Sequence, residues 1–220
     1  QKGKNMELQD KIVVITGAGS GIGRALAVRF HAEGAKQIVC ADINLANAQE
    51  TADMIGGVAM MADVAKEEDT ARIIEDTEAN IGPIDLFCCN AGVGYGESIH
   101  SPNEQWQSIW DINVMSHVYA ARHLVPRMVE RGSGYFLNTS SAAGLLNQIG
   151  GAAYGVTKHA AVGFGEWLAI HHKHEGIGVS MLCPQAVRTA MTAVENDAVA
   201  AAANNGMIEP EELAETVIEG

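Results

Sequence analysis

Basic residues are scarce: 14 Lys and Arg stand against 27 Asp and Glu, a formal charge of −13. A field of that sign repels phosphate backbones, which excludes nucleic acid as the expected partner. Long hydrophobic runs are missing too. The stretch Leu137 to Ile149 is interrupted by Asn138, Thr139, Ser140 and Ser141, and a membrane-spanning helix needs roughly 20 apolar residues. No membrane partner is expected. Cysteine is limited to Cys40, Cys88, Cys89 and Cys183, all within apolar runs and none in a C-x-x-C pair. Buried, reduced thiols, a cytoplasmic location and no metal site follow from that usage. Aromatics reach only 5%, yet 47% hydrophobic and 19% charged residues describe a globular chain rather than a disordered one. The opening Gln1 to Asn5 lacks the apolar core of a secretory signal and is set aside, with Met6 read as the natural start.

With 220 residues, one domain is expected, spanning 6–220. Within it, apolar runs of strand length alternate with helical patterns. Ile12 to Ile15 precedes a helix over Ile22 to His31; Gln37 to Ala41 precedes one over Leu45 to Ile55; Gly57 to Ala62 precedes Lys66 to Asn80. Ile84 to Cys89, Tyr135 to Asn138 and Ile177 to Cys183 continue the strands, with helices near 104–131, 153–174 and 209–219. Near-continuous apolar strands are what a sheet covered on both faces requires. The expected fold class is therefore α/β, a single doubly wound parallel sheet, Rossmann-like, with helices on both faces. Ligands of such sheets sit beyond the strand carboxyl ends. Segment 184–208 falls there as a substrate loop, and its Ala- and Asn-rich part, Ala190 to Met207, reads equally as a lid or as a surface helix.

Thr16-Gly17-Ala18-Gly19-Ser20-Gly21-Ile22-Gly23 joins the first strand to the first helix. A turn that lets a pyrophosphate approach the backbone, then packs a helix close to the sheet, needs residues without a Cβ. Free N–H groups at the helix start face the anion. This makes Gly17, Gly19, Ser20, Gly21, Ile22 and Gly23 a candidate dinucleotide cradle, with G-x-x-x-G-x-G spacing. Asp42 ends the second strand, where a carboxylate accepts ribose hydroxyls and repels a 2′-phosphate; the competing role is capping the helix near Asn44. No cation flanks Asp42 at Ser20 or Ile43, which favours ribose and NAD, while Arg24 keeps NADP open.

Tyr154 and Lys158 are four residues apart at the head of a helix, on one face. Only about one phenol in a thousand is ionised at pH 7, and lowering its pKa by three units takes roughly 4 kcal/mol. A neighbouring ammonium, joined by a positively charged nicotinamide, is the right perturbation. Asn138-Thr139-Ser140-Ser141 ends the fifth strand, and strand alternation lets only one serine point inward to hold a substrate oxygen.

Taken in order, these segments make the chain resemble the short-chain dehydrogenase/reductase family from Leu8 to Gly220. The resemblance is carried by the glycine turn, Asp63-Val64, Cys89-Asn90-Ala91-Gly92, Asn113, Ser140-Ser141, Tyr154-Gly-Val-Thr-Lys158, and Pro184 before Thr189. It implies Tyr154 as general acid/base, Lys158 as the residue that lowers the tyrosine pKa and binds the nicotinamide ribose, and Ser141 as the substrate-orienting hydroxyl. Asn113 is implied to hold a water of a proton relay. Asp63 and Val64 would flank the adenine, Asn90, Ala91 and Gly92 the adenosine side, and Pro184, Val187 and Thr189 the nicotinamide. Two positions depart from the family pattern: Cys89 replaces an asparagine, which alters packing, and Gln185 replaces a glycine, which stiffens the loop. The family usually continues through a seventh strand, so the sequence is expected to lack that strand.

The implied reaction is hydride transfer between a secondary alcohol or ketone and NAD, with homodimer or homotetramer assembly implied by the same resemblance. Two rivals are an NADPH-dependent carbonyl reductase and a non-enzymatic dinucleotide-binding scaffold. Gly94, Tyr95, Leu145, Asn147, Gln148, Ile149, Gln185 and the Ala190–Met207 segment are expected to wall the substrate site, and they favour an apolar substrate. The His-rich Ile170 to His174 stretch reads as a solvated helix end, since adjacent helical histidines point apart.

Overall fold

The computed structural model describes residues 6–95, 98–193, 203 and 206–219. The strands are β1 (Ile12–Thr16), β2 (Gln37–Asp42), β3 (Val58–Met61), β4 (Leu86–Cys89), β5 (Gly134–Thr139) and β6 (Ile177–Leu182). They form one parallel sheet in the order β3-β2-β1-β4-β5-β6. The chain builds outward from β1 to β3, then returns to place β4 on the other side of β1. That reversal opens a crevice at the carboxyl ends of β1 and β4, the usual ligand position in such sheets.

The helices are α1 (Gly21–Ala32), α2 (Leu45–Ile55), α3 (Glu67–Asn80), α4 (Asn103–Trp110), α5 (Ser116–Arg131), α6 (Ala143–Leu146), α7 (Ala152–His172) and α8 (Pro210–Glu219). Strand alternation divides the interior into two cores. Val13, Ile15, Ile38, Cys40, Leu86, Cys88 and Leu137 face α1, α2 and α8. Val14, Val39, Phe87, Cys89 and Phe136 face α3, α5 and α7. Both sheet faces are therefore covered, which is why the strands read as continuous apolar runs.

Three sequence expectations change in detail. The single helix near 104–131 is α4 and α5 joined through a π-helical turn, Asp111–Met115, with Asn113 at its centre. Such bulges widen the helix and release a backbone group, and they concentrate at functional sites. The 153–174 helix is α7 followed by a short 3₁₀ turn, Lys173–Glu175. Three cysteines are buried, while Cys183 is partly exposed; all four are free. Of the Ala190–Met207 segment, Ala190–Thr192 forms a 3₁₀ turn; residues 194–202 and 204–205 lie outside the described residues.

Candidate active site

At the end of β1, the chain turns through Gly17, whose φ of +66° suits a residue without a Cβ. A Cβ there would also lie 2.9 Å from Ala91 Cα, so β1 and β4 can approach at the crevice only because the position is glycine. Gly23 has a different reason: a Cβ would strike the Gly17 carbonyl, so α1 could not pack down on the turn. Thr16 ties the two strands together. Its hydroxyl donates to Cys88 O at 3.2 Å and accepts from the backbone N–H groups of Asn90 and Ala91 at 3.0 and 3.1 Å. The Asn90 amide donates to Thr16 O at 3.0 Å, and its oxygen accepts from the Thr139 hydroxyl at 3.2 Å, bracing β1, β4 and β5.

The Asp42 carboxylate accepts from Gly19 N and from Asn44 N, both at 2.9 Å. Asn44, not Asp42, supplies the α2 cap by accepting from Asn47 N at 3.2 Å. Asp42 thus holds the glycine turn against β2 while lining the cleft. Arg24 turns away from the cleft. Its guanidinium donates to Gly19 O at 2.5 Å and Thr51 Oγ1 at 3.0 Å, and it pairs with Glu50 at 3.1 Å.

On the catalytic side, strand alternation separates the serines as expected. Ser140 Oγ donates backwards to Lys158 O at 2.9 Å. The Ser141 hydroxyl accepts from Ala143 N at 3.1 Å, donates to Pro184 O at 3.5 Å, and lies close enough to the Tyr154 phenol to act on its pKa. Lys158 Nζ donates to Thr139 O at 3.3 Å and stands 5.6 Å from the Tyr154 ring centre. Burial pushes the Lys158 ammonium down to about 8. Burial also raises the Tyr154 pKa, outweighing the lowering by Ser141. The lowered phenol pKa expected from the sequence is therefore not set by these protein groups: desolvation of the anion dominates.

Asn113 lies behind this group, fully buried. Its side-chain oxygen accepts from Val93 N at 2.9 Å, while its amide donates to Val93 O at 3.0 Å and Thr157 Oγ1 at 3.2 Å. The side chain thus clasps the loop after β4 to α7 instead of facing the cleft.

One cleft of about 650 Å³ collects most of the anticipated residues: Gly17, Ser20, Gly21, Ile22, Asp42, Asp63, Val64, Asn90, Ala91, Gly92, Ser141, Tyr154, Lys158, Pro184, Val187 and Thr189. Gly19, Gly23 and Asn113 support it from beneath. Of the expected substrate wall, Gly94, Tyr95, Gln185, Ala190, Met191 and Thr192 line the cleft, but Leu145, Asn147, Gln148 and Ile149 do not. Leu145 and Ile149 point to solvent. They belong to a segment whose apolar composition alone suggested a wall. Sequence reasoning passed over the brace made by Thr16 and Thr139 and the wall residues Val93 and Ile112; their signal was their position at strand carboxyl ends and beside Asn113. The His-rich stretch is a surface cluster, with His171 stacked on Trp167 at 4.9 Å and His172 paired with Glu175 at 2.5 Å.

The fold has solved counterparts and the sequence has relatives. A short-chain dehydrogenase structure from Burkholderia phymatum, in complex with NAD, superposes with a TM-score of 0.89 at 28% identity, covering 97% of this chain and 86% of that one. An uncharacterized oxidoreductase of Staphylococcus aureus is 32% identical over 96% of this chain and 90% of its own length. The 1-deoxy-11-beta-hydroxypentalenate dehydrogenase of Streptomyces exfoliatus is 35% identical over 84% of this chain and 70% of its own. Residues 11–200 match the family profile described as short chain dehydrogenase. The chain belongs to the short-chain dehydrogenase family of oxidoreductases.

Proposed function

We propose that this oxidoreductase transfers hydride between NAD and a secondary alcohol or ketone, using Ser141, Tyr154 and Lys158. The observation that carries the reading is their convergence: β5, α7 and the β1–α1 turn each deliver their part to one cleft. The protein fits a dinucleotide, because glycine at 17 and 23 keeps the cradle free of side chains and the first turn of α1 opens into the cleft. Gly17, Ser20, Gly21 and Ile22 would hold the pyrophosphate, Asp42 the adenosine ribose, Asp63 and Val64 the adenine, and Pro184, Val187 and Thr189 the nicotinamide. Bound nicotinamide supplies the hydride chemistry. The Ser141 hydroxyl orients the substrate oxygen, and Tyr154 exchanges the proton with that oxygen. Because burial holds the phenol protonated, Tyr154 is ready to donate to a ketone; in the reverse direction the Lys158 ammonium stabilises the phenolate. Asn113, by clasping Val93 to Thr157, fixes the loop against which the lysine rests; with its side chain spent on that clasp, a relay water would have to be held by its backbone.

Around Tyr154 the substrate wall of Val93, Gly94, Ile112 and Met191 carries no charge, which supports an apolar, uncharged substrate. Arg24 is committed to Gly19, Thr51 and Glu50, so the cation that kept NADP open does not face the cleft. Calorimetric titration with NADH and NADPH tests this half of the reading: tighter NADH binding is expected, and equal or tighter NADPH binding overturns the preference. The same reading takes 6–220 as one domain and the protein as cytoplasmic; among the described residues no helix is long and apolar enough to cross a membrane. It also takes the chain as a homodimer or homotetramer, supported by exposed Val156, Trp167 and Ile170 along α7; a monomer by light scattering would remove that assignment.

A further inference from the structure

His117 on α5 and Asn138 on β5 are each only 1% exposed. Their four side-chain polar atoms, Nδ1 and Nε2 of His117 and Oδ1 and Nδ2 of Asn138, are shielded from solvent and make no hydrogen bond of full geometry. Interiors rarely leave polar atoms so, because a buried group loses its water without gaining a bond in return. Neither residue touches the cleft. Their placement points to the residue they stand behind.

Along β5, Phe136, Asn138 and Ser140 share a face. Phe136 belongs to the core against α5 and α7, and Ser140 Oγ donates to the Lys158 carbonyl. Asn138 lies between them, and a Cβ built at Gly165 of α7 would come within 3.4 Å of its Nδ2. On α5, His117 follows Asn113 by one turn, and Asn113 reaches Thr157, next to Lys158. The pair therefore fills the polar corner where α5, β5 and α7 meet.

The groups that act on one another in this corner are few. Lys158 and the Asn138 amide act on the His117 ring, the lysine by repelling its charged form and the amide as a polar neighbour that closes no hydrogen bond with it. The Cys183 thiol at the end of β6 acts on Lys158. Cys89 on β4 pairs in register with Asn138, its thiol kept protonated by burial. Tyr154 stands on the cleft side of the lysine. Burial and the nearby lysine push the His117 ring down to about 3, so it carries no charge at neutral pH.

We propose that His117 and Asn138 are positioning residues for Lys158: an uncharged polar pair that backs the buried lysine and preserves its ammonium form. The inference rests on the catalytic role proposed for Lys158. A polar but neutral ring offers its dipole to the ammonium where a leucine would offer only desolvation, and a charged side chain would repel it.

The test reads Lys158 directly. In protein with isotope-labelled lysine Cε, the Lys158 resonance is assigned by its loss in Lys158→Met and followed with pH, alongside the pH profile of kcat. The wild-type midpoint is expected at about 8. In His117→Leu it falls by about half a unit or more, and the alkaline limb of kcat falls with it, while His117→Gln stays at the wild-type value. Should His117→Leu not fold, Asn138→Val carries the same expectation. An unmoved midpoint in the apolar variant overturns the proposal, as does an equal fall in His117→Gln. An unmoved midpoint with turnover that Tyr154→Phe abolishes sinks the pair alone. A moved midpoint with no turnover over a broad alcohol and ketone panel sinks the oxidoreductase reading alone.

Discussion

The cleft has two ends made in opposite ways. At the β1–α1 turn, the site is built from absent side chains: Gly17 lets β1 and β4 close until a methyl group on it would stand 2.9 Å from Ala91 Cα, and Gly23 lets a helix settle on a carbonyl. At the β5–α7 end, it is built from side chains with few substitutes, Ser141, Tyr154 and Lys158, held by backbone groups around them. Their cores differ as well. Among the described residues, the buried side-chain atoms without a partner belong to Thr70, Thr77, His117 and Asn138, all on the sheet face covered by α3, α5 and α7; of these, Asn138 on β5 and His117 beside it lie nearest Lys158. An end that binds backbone-first needs space and rigidity. On the function proposed here, the second end moves protons, and such an end needs polar groups kept out of water.

Breaking the two ends should therefore give different losses. Tyr154→Phe is expected to lower kcat by about 10³-fold, or about 4 kcal/mol, while NADH binds within about twofold of wild type. Equal loss of binding and turnover, read by calorimetry and initial rates, would mean that the tyrosine shapes the cradle instead. Gly23→Ala should do the converse. A Cβ at 23 meets the Gly17 carbonyl and lies 2.7 Å from Asn90 Nδ2, so the helix must lift. The expected destabilisation is about 1–3 kcal/mol with loss of NADH binding, measured by urea unfolding and calorimetry. Wild-type affinity in that variant would sink the cradle argument.

The same contrast explains what could be read from the sequence. The sheet was legible because its strands are buried on both faces and appear as unbroken apolar runs, and the glycine turn because its spacing records steric necessity. That Ser141, Tyr154 and Lys158 meet in one cleft was legible through the helical spacing of Tyr154 and Lys158 and through strand alternation at Ser140 and Ser141. The π turn at Asn113 was not legible, since no local composition distinguishes it from the helix on either side. The side-chain clasp on Val93 depends on the π turn meeting a loop twenty residues earlier in the chain. The phenol pKa went the other way because spacing reveals a neighbouring charge but not the depth of burial. Leu145 and Ile149 misled for a related reason: their apolar character carried no information about which way α6 and the following loop would face.

The catalytic core's buried histidine sharpens the comparison through acid. A ring with a folded pKa of about 3 and an ordinary value of 6.5 takes up its proton more readily in the unfolded chain. Its neutral burial is fully tolerated above pH 6.5, and stability is lost as the pH falls from there toward 3. At pH 5 the loss from this one group is on the order of 2 kcal/mol. His117→Gln should remove that part of the acid slope in urea unfolding between pH 7 and 5, and a slope equal to wild type would show that the ring protonates without penalty.

The smallest expected effect lies where the loop after β6 crosses the cleft. Arg188 and Glu209 form an ion pair at 2.7 Å, but their side chains are 63% and 50% exposed. The loop is held more firmly by backbone bonds: Arg188 N donates to Ile208 O at 3.0 Å and Ile208 N to Ala186 O at 3.1 Å. Thr192 adds a hydroxyl that donates to Val187 O at 2.7 Å and accepts from Thr189 N at 3.0 Å. Removing one partner of an exposed pair changes little, because water and salt already screen it. Arg188→Ala is thus expected to move Tm by under about 2 °C. Thr192→Val, which strands a carbonyl and an N–H together, should lower Tm by about 4 °C and weaken NADH binding through Val187 and Thr189. If the arginine variant proved the more damaging by differential scanning calorimetry, charge rather than hydrogen-bonded backbone would be what holds the loop over the catalytic end.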